Sequence, residues 1–160
     1  MGRIINAIGI IAVVASLVFV GLELRQSQQI ALAAQQQARA AAFMAAISPF
    51  TESSIDYQLV VFEENFNYEL SKEEIAFRNN LHSSWHLYEN DYYQYRQGLM
   101  DESTWSAKLV GIQNIYNACR GRVIYDYRAP IFAAEFRTII ESLPDAVSYT
   151  HLTLPTILLV

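Results

Sequence analysis

Cysteine is almost missing from this chain. Cys119 stands alone, so no intramolecular disulfide can staple the fold, and cysteine usage does not indicate the compartment. Basic residues are scarce where most of the chain lies: beyond Ile47 there are 15 acidic residues against 8 Lys and Arg. That sign excludes a phosphate-backbone binder, whose affinity rests on Lys and Arg neutralising phosphates, and no nucleic-acid partner is expected. Strand-like alternation over six residues is missing too, as is any short turn between two strand-like runs. There is no GxxxxGK[ST], GxGxxG or GxSxG motif and no cysteine pair, so no nucleotide or other cofactor and no catalytic residue is indicated.

Charge is also absent from Ile4 to Leu22, IINAIGIIAVVASLVFVGL, where Asn6 is the one strongly polar residue. As a helix rising about 1.5 Å per residue, this run covers roughly 28 Å, close to the hydrocarbon thickness of a bilayer. A cleaved signal peptide would have a shorter apolar region followed by a small-x-small site. Gly21-Leu22-Glu23-Leu24-Arg25 is a poor cleavage site, so an uncleaved single-pass anchor over residues 1–24 is expected. Its orientation is nearly balanced by charge, Arg3 standing against Arg25 and Arg39. The positive-inside bias leans slightly to a cytoplasmic domain on an inner (cytoplasmic) membrane.

Residues 25–47 continue as an Ala/Gln-rich stalk without Gly or Pro, both of its main residues being good helix formers. Ser48-Pro49 is the first expected break. Ile30, Ala34, Ala38, Ala41 and Ala45 recur at helical spacing, a small-residue stripe suited to packing on the chain's own domain or on another copy of the stalk. The lipid bilayer, with a second copy or a protein partner through the stalk, are the partners expected.

Residues 48–146 read as a domain of four to five short helices, and the fold class expected is all-α. Thr51 is placed to cap a helix running to about Glu64. Ser71-Lys72-Glu73-Glu74 has the form of a capping box, with the Glu74 carboxylate reaching back. Leu81, Trp85, Tyr88, Tyr92, Tyr95 and Leu99 then mark one helical face, which Gly98 can end in the left-handed conformation. Asp101 can cap a helix carrying Trp105, Leu109, Ile112 and Tyr116. Gly121 sits near a further break, Arg122–Arg128 forms a short helix ended by Pro130, and a last helix carries Phe132, Phe136, Ile139 or Ile140, and Leu143.

Three groups of residues could carry chemistry. His82, His86 and Glu89 share a helix face at i, i+4 and i+7 and could ligate one metal with groups from another helix; Glu63, Glu64 and Glu135 are the scattered carboxylates on offer. The bland alternative is two ordinary imidazoles at the edge of the aromatic seam. Tyr88, Tyr92, Tyr95 and Arg96 could floor a small-ligand cleft, or form a core whose hydroxyls are satisfied by interleaved polar groups. Arg120, Arg122 and Arg128 could meet lipid head groups or pair with the acidic helices. The expected function is a non-enzymatic, membrane-tethered interaction module; the alternative is a metal- or small-ligand-dependent enzyme built on the His82/His86/Glu89 face and the tyrosine cleft.

The segment from Tyr88 to Glu102, followed by Trp105, resembles one shared by a group of uncharacterised small bacterial membrane proteins, E-N-x-Y-Y-x-x-x-x-G-L being matched from Glu89 to Leu99. Their anchor is similar to Ala12–Leu22, followed by a Leu-Arg-Gln stretch like Leu24-Arg25-Gln26. Pro130–Arg137 matches their late P-x-F-x-x-x-F-R helix. The resemblance spans most of residues 4–143 and implies a membrane-anchored helical domain to which no catalytic residue carries over; His82 and His86 fall outside the recurrent pattern.

The end of the chain reads differently. Val147–Thr156, VSYTHLTLPT, resembles the translation of a transposase-type sequencing-library adapter. That adapter continues through a variable index to a Val codon and a stop, and the chain ends Ile157-Leu158-Leu159-Val160. Residues 147–160 are therefore expected to be a non-native tail, a genuine terminal strand being the competing reading. The native chain is expected to run on differently past Asp145.

Overall fold

The computed structural model describes residues 2–63 and 69–145. Its described residues are helical with no strand, in the order α1 (Gly2–Glu52), α2 (Tyr57–Val61), α3 (Lys72–Arg96), α4 (Glu102–Tyr116), α5 (Cys119–Arg128), a 3-10 turn (Ala129–Ile131) and α6 (Ala134–Glu141). Two compact units divide the chain, Met1–Gln36 and Gln37–Val160. The adapter-like tail, Glu64 and the expected end of the Thr51 helix lie outside the described residues.

The first unit is helix alone. It contains an 18-residue window of mean hydropathy 2.6, none of it buried, so this helix is long and apolar enough to cross a membrane. Apolar residues surround it: Ile5, Ile8, Ile11, Leu17 and Phe19 are each more than 60% exposed. A helix apolar on all sides has no water-facing stripe to present.

In the second unit α1 does not stop before Pro49 but runs to Glu52. The missing proline N–H falls in the last turns, where it withdraws a bond only from the carbonyl of the exposed Ala45. Ile47 is 2% exposed and the Phe50 ring meets Tyr57 edge-on at 5.4 Å, so packing holds the final turn in place. The face that packs is Ala40, Phe43, Ile47 and Phe50, at steps of three and four. The expected stripe is rotated from this: Ile30, Ala34, Ala38, Ala41 and Ala45 are all exposed. Alanine buries too little area to choose a face, and the larger Phe43 and Ile47 choose it instead.

Helix ends follow local chemistry. At the close of α1, Ser54 takes φ +54°; the Ile55 N–H reaches the Phe50 carbonyl and the Ser54 N–H that of Thr51. Gly98 ends α3 in the same way at φ +69°, with Leu99 bonded to Gln94 and Gly98 to Tyr95, as expected. Thr51 is not a cap but part of α1, and Asp56 caps α2 through the Leu59 N–H at 2.9 Å. Ser71 and Asp101 cap α3 and α4 as expected, accepting the Glu74 and Thr104 N–H groups at 3.2 and 2.9 Å. Glu74 does not reach back as expected but lies 3.8 Å from Arg120; it is the Glu73 carboxyl that stays at the cap, held below its usual range by its own backbone N–H and by the Ser71 side chain.

The core fills the angle between α3, α4, α5 and α6. Trp85, Ile112, Ile124, Phe136 and Ile140 are fully buried, with Tyr92, Trp105, Tyr116 and Phe132 around them. Trp105, Leu109, Ile112 and Tyr116 face it from α4 as their spacing predicts; Leu99 lies beyond the end of α3 and is 45% exposed.

Candidate functional site

The tyrosine seam is a helix interface. Tyr92 stacks on Phe136 at 5.4 Å and meets Trp105 at 5.8 Å. Tyr95 stacks on Trp105 at 5.1 Å and donates its hydroxyl proton to Glu102 across 2.6 Å. The Tyr88 hydroxyl reaches the spot where Gly111 of α4 lacks a side chain. Arg96 lies 3.4 Å from Glu135, both side chains more than half exposed, a geometry worth little to stability. A cleft of about 380 Å³ is lined by Met44, Asn90, Asp91 and Met100 among others, and one of about 350 Å³ by Ile47, Thr51 and Asn79 among others. Tyr88, Tyr92 and Tyr95 line neither.

His82, His86 and Glu89 turn to different partners. The fully buried His82 ring stacks on Phe62 at 5.7 Å and meets Tyr57 edge-on at 5.0 Å. His86 packs its ring 3.7 Å from that of Phe43 and holds the Arg128 Nη2 at 2.9 Å with its Nε2. Glu89 accepts the Ala133 N–H at 2.9 Å, capping α6, whose own N-cap Ala133 has no side chain for the task. Among the described residues no three His, Cys, Asp or Glu side chains are grouped to hold a metal ion.

The basic trio separates as well. Arg122 makes a two-bond pair with Asp145 at 3.1 and 2.8 Å and lies over the Tyr116 ring at 3.6 Å. Arg120 lies 4.2 Å over Phe77 and 3.8 Å from Glu74. Arg128 goes inward and is 1% exposed. A sign of this was present in the spacing: Gly121, Ile124, Tyr125 and Arg128 fall on one face of α5, and all four are buried.

Arg128, His86 and His82 thus form a basic group in an aromatic interior. Burial lowers the Arg128 pKa to about 10, opposed by the charge of Glu89, so it stays cationic at neutral pH. Burial, followed by the positive charges of Arg128 and Arg78, pushes His82 down to about 3. His86 is also pushed down to about 3, by burial and then Arg128. Both imidazoles are neutral in the folded protein, whereas in the unfolded chain they titrate near 6.5.

Between pH 6.5 and 3 the unfolded chain binds protons that the folded one refuses, so stability is complete above about pH 6.5 and falls as pH drops. His82 alone contributes a slope of about 1.4 kcal/mol per pH unit within that window, and the less buried His86 a smaller one. Urea unfolding of the detergent-solubilised chain at pH 7.5, 6, 5 and 4 should show falling midpoints. His82→Phe should keep the pH 7.5 midpoint and flatten the decline; an unchanged decline would refute this assignment.

No family model, curated protein or solved structure matches the chain.

Proposed function

We propose that this chain is a membrane-tethered helical module that binds a second copy of itself or a partner protein through the stalk, without catalysis of its own. The observation that carries the reading is the disposition of α1. Its first part is apolar on every side and wholly unburied, as a lipid-facing helix would be. Further along, the small-residue stripe of Ala34, Ala38, Ala41 and Ala45 is not spent on the chain's own core. Small side chains let helix backbones approach closely, which is how neighbouring helices associate near and within membranes. The test uses Ala41→Cys in a Cys119→Ser background, in native-like membranes. Oxidation is expected to yield a disulfide dimer or a crosslinked partner at Ala41 and not at Gln35 or Ala46, which lie off the stripe, when these carry the cysteine. A protein strictly monomeric in mild detergent, with no crosslink at any of these positions, would overturn the reading.

We further propose a bacterial inner membrane with the helical domain on the cytoplasmic side. Arg25 and Arg39 follow the apolar run while Arg3 alone precedes it, and the positive-inside bias favours the richer side. Reporter fusions after Asp145 should be active for a cytoplasm-dependent reporter and silent for a periplasm-dependent one; the reverse pattern would place the domain outside.

A further inference from the structure

We propose that the interior of the helical unit binds one small planar oxyanion, of the carboxylate type, on the guanidinium of Arg128 beside His86. This goes beyond the tethering role and does not depend on it.

Arg128 is the last residue of α5 and is 1% exposed. A buried cation is normally kept only where an opposite charge and hydrogen bonds compensate its loss of water. Among the described residues the ion pairs engage every Arg beyond the stalk except this one. Glu89 acts on it through charge but has committed one oxygen to the Ala133 N–H. The Phe132 and Phe43 rings, at 5.3 and 6.0 Å, offer π faces but no anion.

The unused donors have a definite shape. Arg128 gives one Nη2 hydrogen to His86, while Nε and Nη1 have no partner. Nη2 carries two hydrogens, one on the edge shared with Nε and one on the edge shared with Nη1. Whichever of them His86 takes, the other edge keeps two parallel N–H groups. Such an edge matches the two oxygens of a carboxylate. One helical turn before His86, His82 is fully buried with both ring nitrogens unpartnered, and as a neutral imidazole it adds one further N–H. A water molecule would satisfy hydrogens but add no negative charge to the partial compensation from Glu89, and a metal cation would be repelled. Complete burial restricts the anion to a few atoms, the size of formate, acetate or bicarbonate.

The experiment uses the full chain in neutral detergent and a bulky sulfonate buffer, with ionic strength held constant by methanesulfonate. Thermal midpoints are followed by the fluorescence of Trp85 and Trp105, both core residues. Titrated formate or acetate is expected to raise the midpoint continuously above its dissociation constant. Arg128→Lys keeps the charge but loses the two-hydrogen edge, and should weaken the apparent affinity by about tenfold or more. Arg128→Met should abolish the response and, in sulfonate alone, unfold no earlier than wild type, because no buried charge remains. His82→Phe should weaken the response. A wild-type midpoint flat to formate, acetate and bicarbonate overturns the proposal. So does a response that persists undiminished in Arg128→Lys, a comparison that stands even if Arg128→Met fails to fold.

Discussion

Gly121→Ala is expected to cost the helical unit about 3 kcal/mol, near the upper end of overpacking penalties. Gly121 lies in the first turn of α5, its N–H bonded to the Ala118 carbonyl at 2.8 Å. A Cβ added there would run into the backbone carbonyl oxygen of Ile115, near the C-terminus of α4. A carbonyl inside a helix cannot swing aside as a side-chain tip can, so α5 would have to lift from α4. That movement would disturb Ile124 and Tyr125, which α5 buries in the core. Gly111→Ala is the control. Its Cβ would meet the Tyr88 hydroxyl at 2.9 Å, the far end of a side chain that can rotate. In mid-helix, alanine also regains about 1 kcal/mol of helix propensity. Thermal unfolding by tryptophan fluorescence should place Gly121→Ala about 10 °C or more below wild type and Gly111→Ala within a few degrees. Equal losses in the two variants would show that the α4–α5 approach is not what requires glycine.

This glycine illustrates what could be read in the sequence. Its place near a break was legible, because Gly punctuates helices; its close approach to Ile115 was not, since no local pattern encodes which backbone comes near. The caps Ser71 and Asp101 and the left-handed Gly98 were legible for the opposite reason, their chemistry being local to a few residues. The same holds for the Trp105-to-Tyr116 face and for the apolar run of α1, which are set by period and composition. Pro49 misled because the rule that proline ends a helix is weaker than the packing of Ile47 and Phe50. Which of its two expected partners the stalk stripe faces was not legible, because alanine looks alike on a wet face and a dry one. Neither the inward turn of Arg128, expected to meet head groups or acidic helices, nor the full burial of His82, expected as a metal ligand or a seam-edge imidazole, was legible. Their burial depends on Phe43, Tyr57 and Phe62, distant in sequence from α5.

Asn79 was missed altogether, and its replacement should be as damaging as that of Gly121. It occupies α3 among Arg78, Asn80 and Ser83, where a polar residue reads as a solvated face, yet it is fully buried. Its Oδ1 accepts the Tyr57 N–H at 2.8 Å, and its Nδ2 donates to the Ile55 carbonyl at 2.9 Å and to Thr51 Oγ1 at 3.1 Å. One side chain therefore satisfies the backbone at the turn between α1 and α2 and ties it to α3. The neighbouring Asp56–Arg78 pair, at 2.6 Å, holds the same junction from the other side. Asn79→Ala would strand a buried N–H and a carbonyl, each at a cost of about 1–3 kcal/mol, for a total of about 3 kcal/mol. Asn79→Asp discriminates hydrogen bonding from volume. It preserves the shape and the acceptor for Tyr57 but loses both donors and sets a carboxylate against the Ile55 carbonyl. If the hydrogen bonds carry the effect, Asn79→Asp will unfold at least as early as Asn79→Ala at pH 7. If Asn79→Asp instead retains wild-type stability, the residue fills space and the α1–α2 turn is held by other contacts.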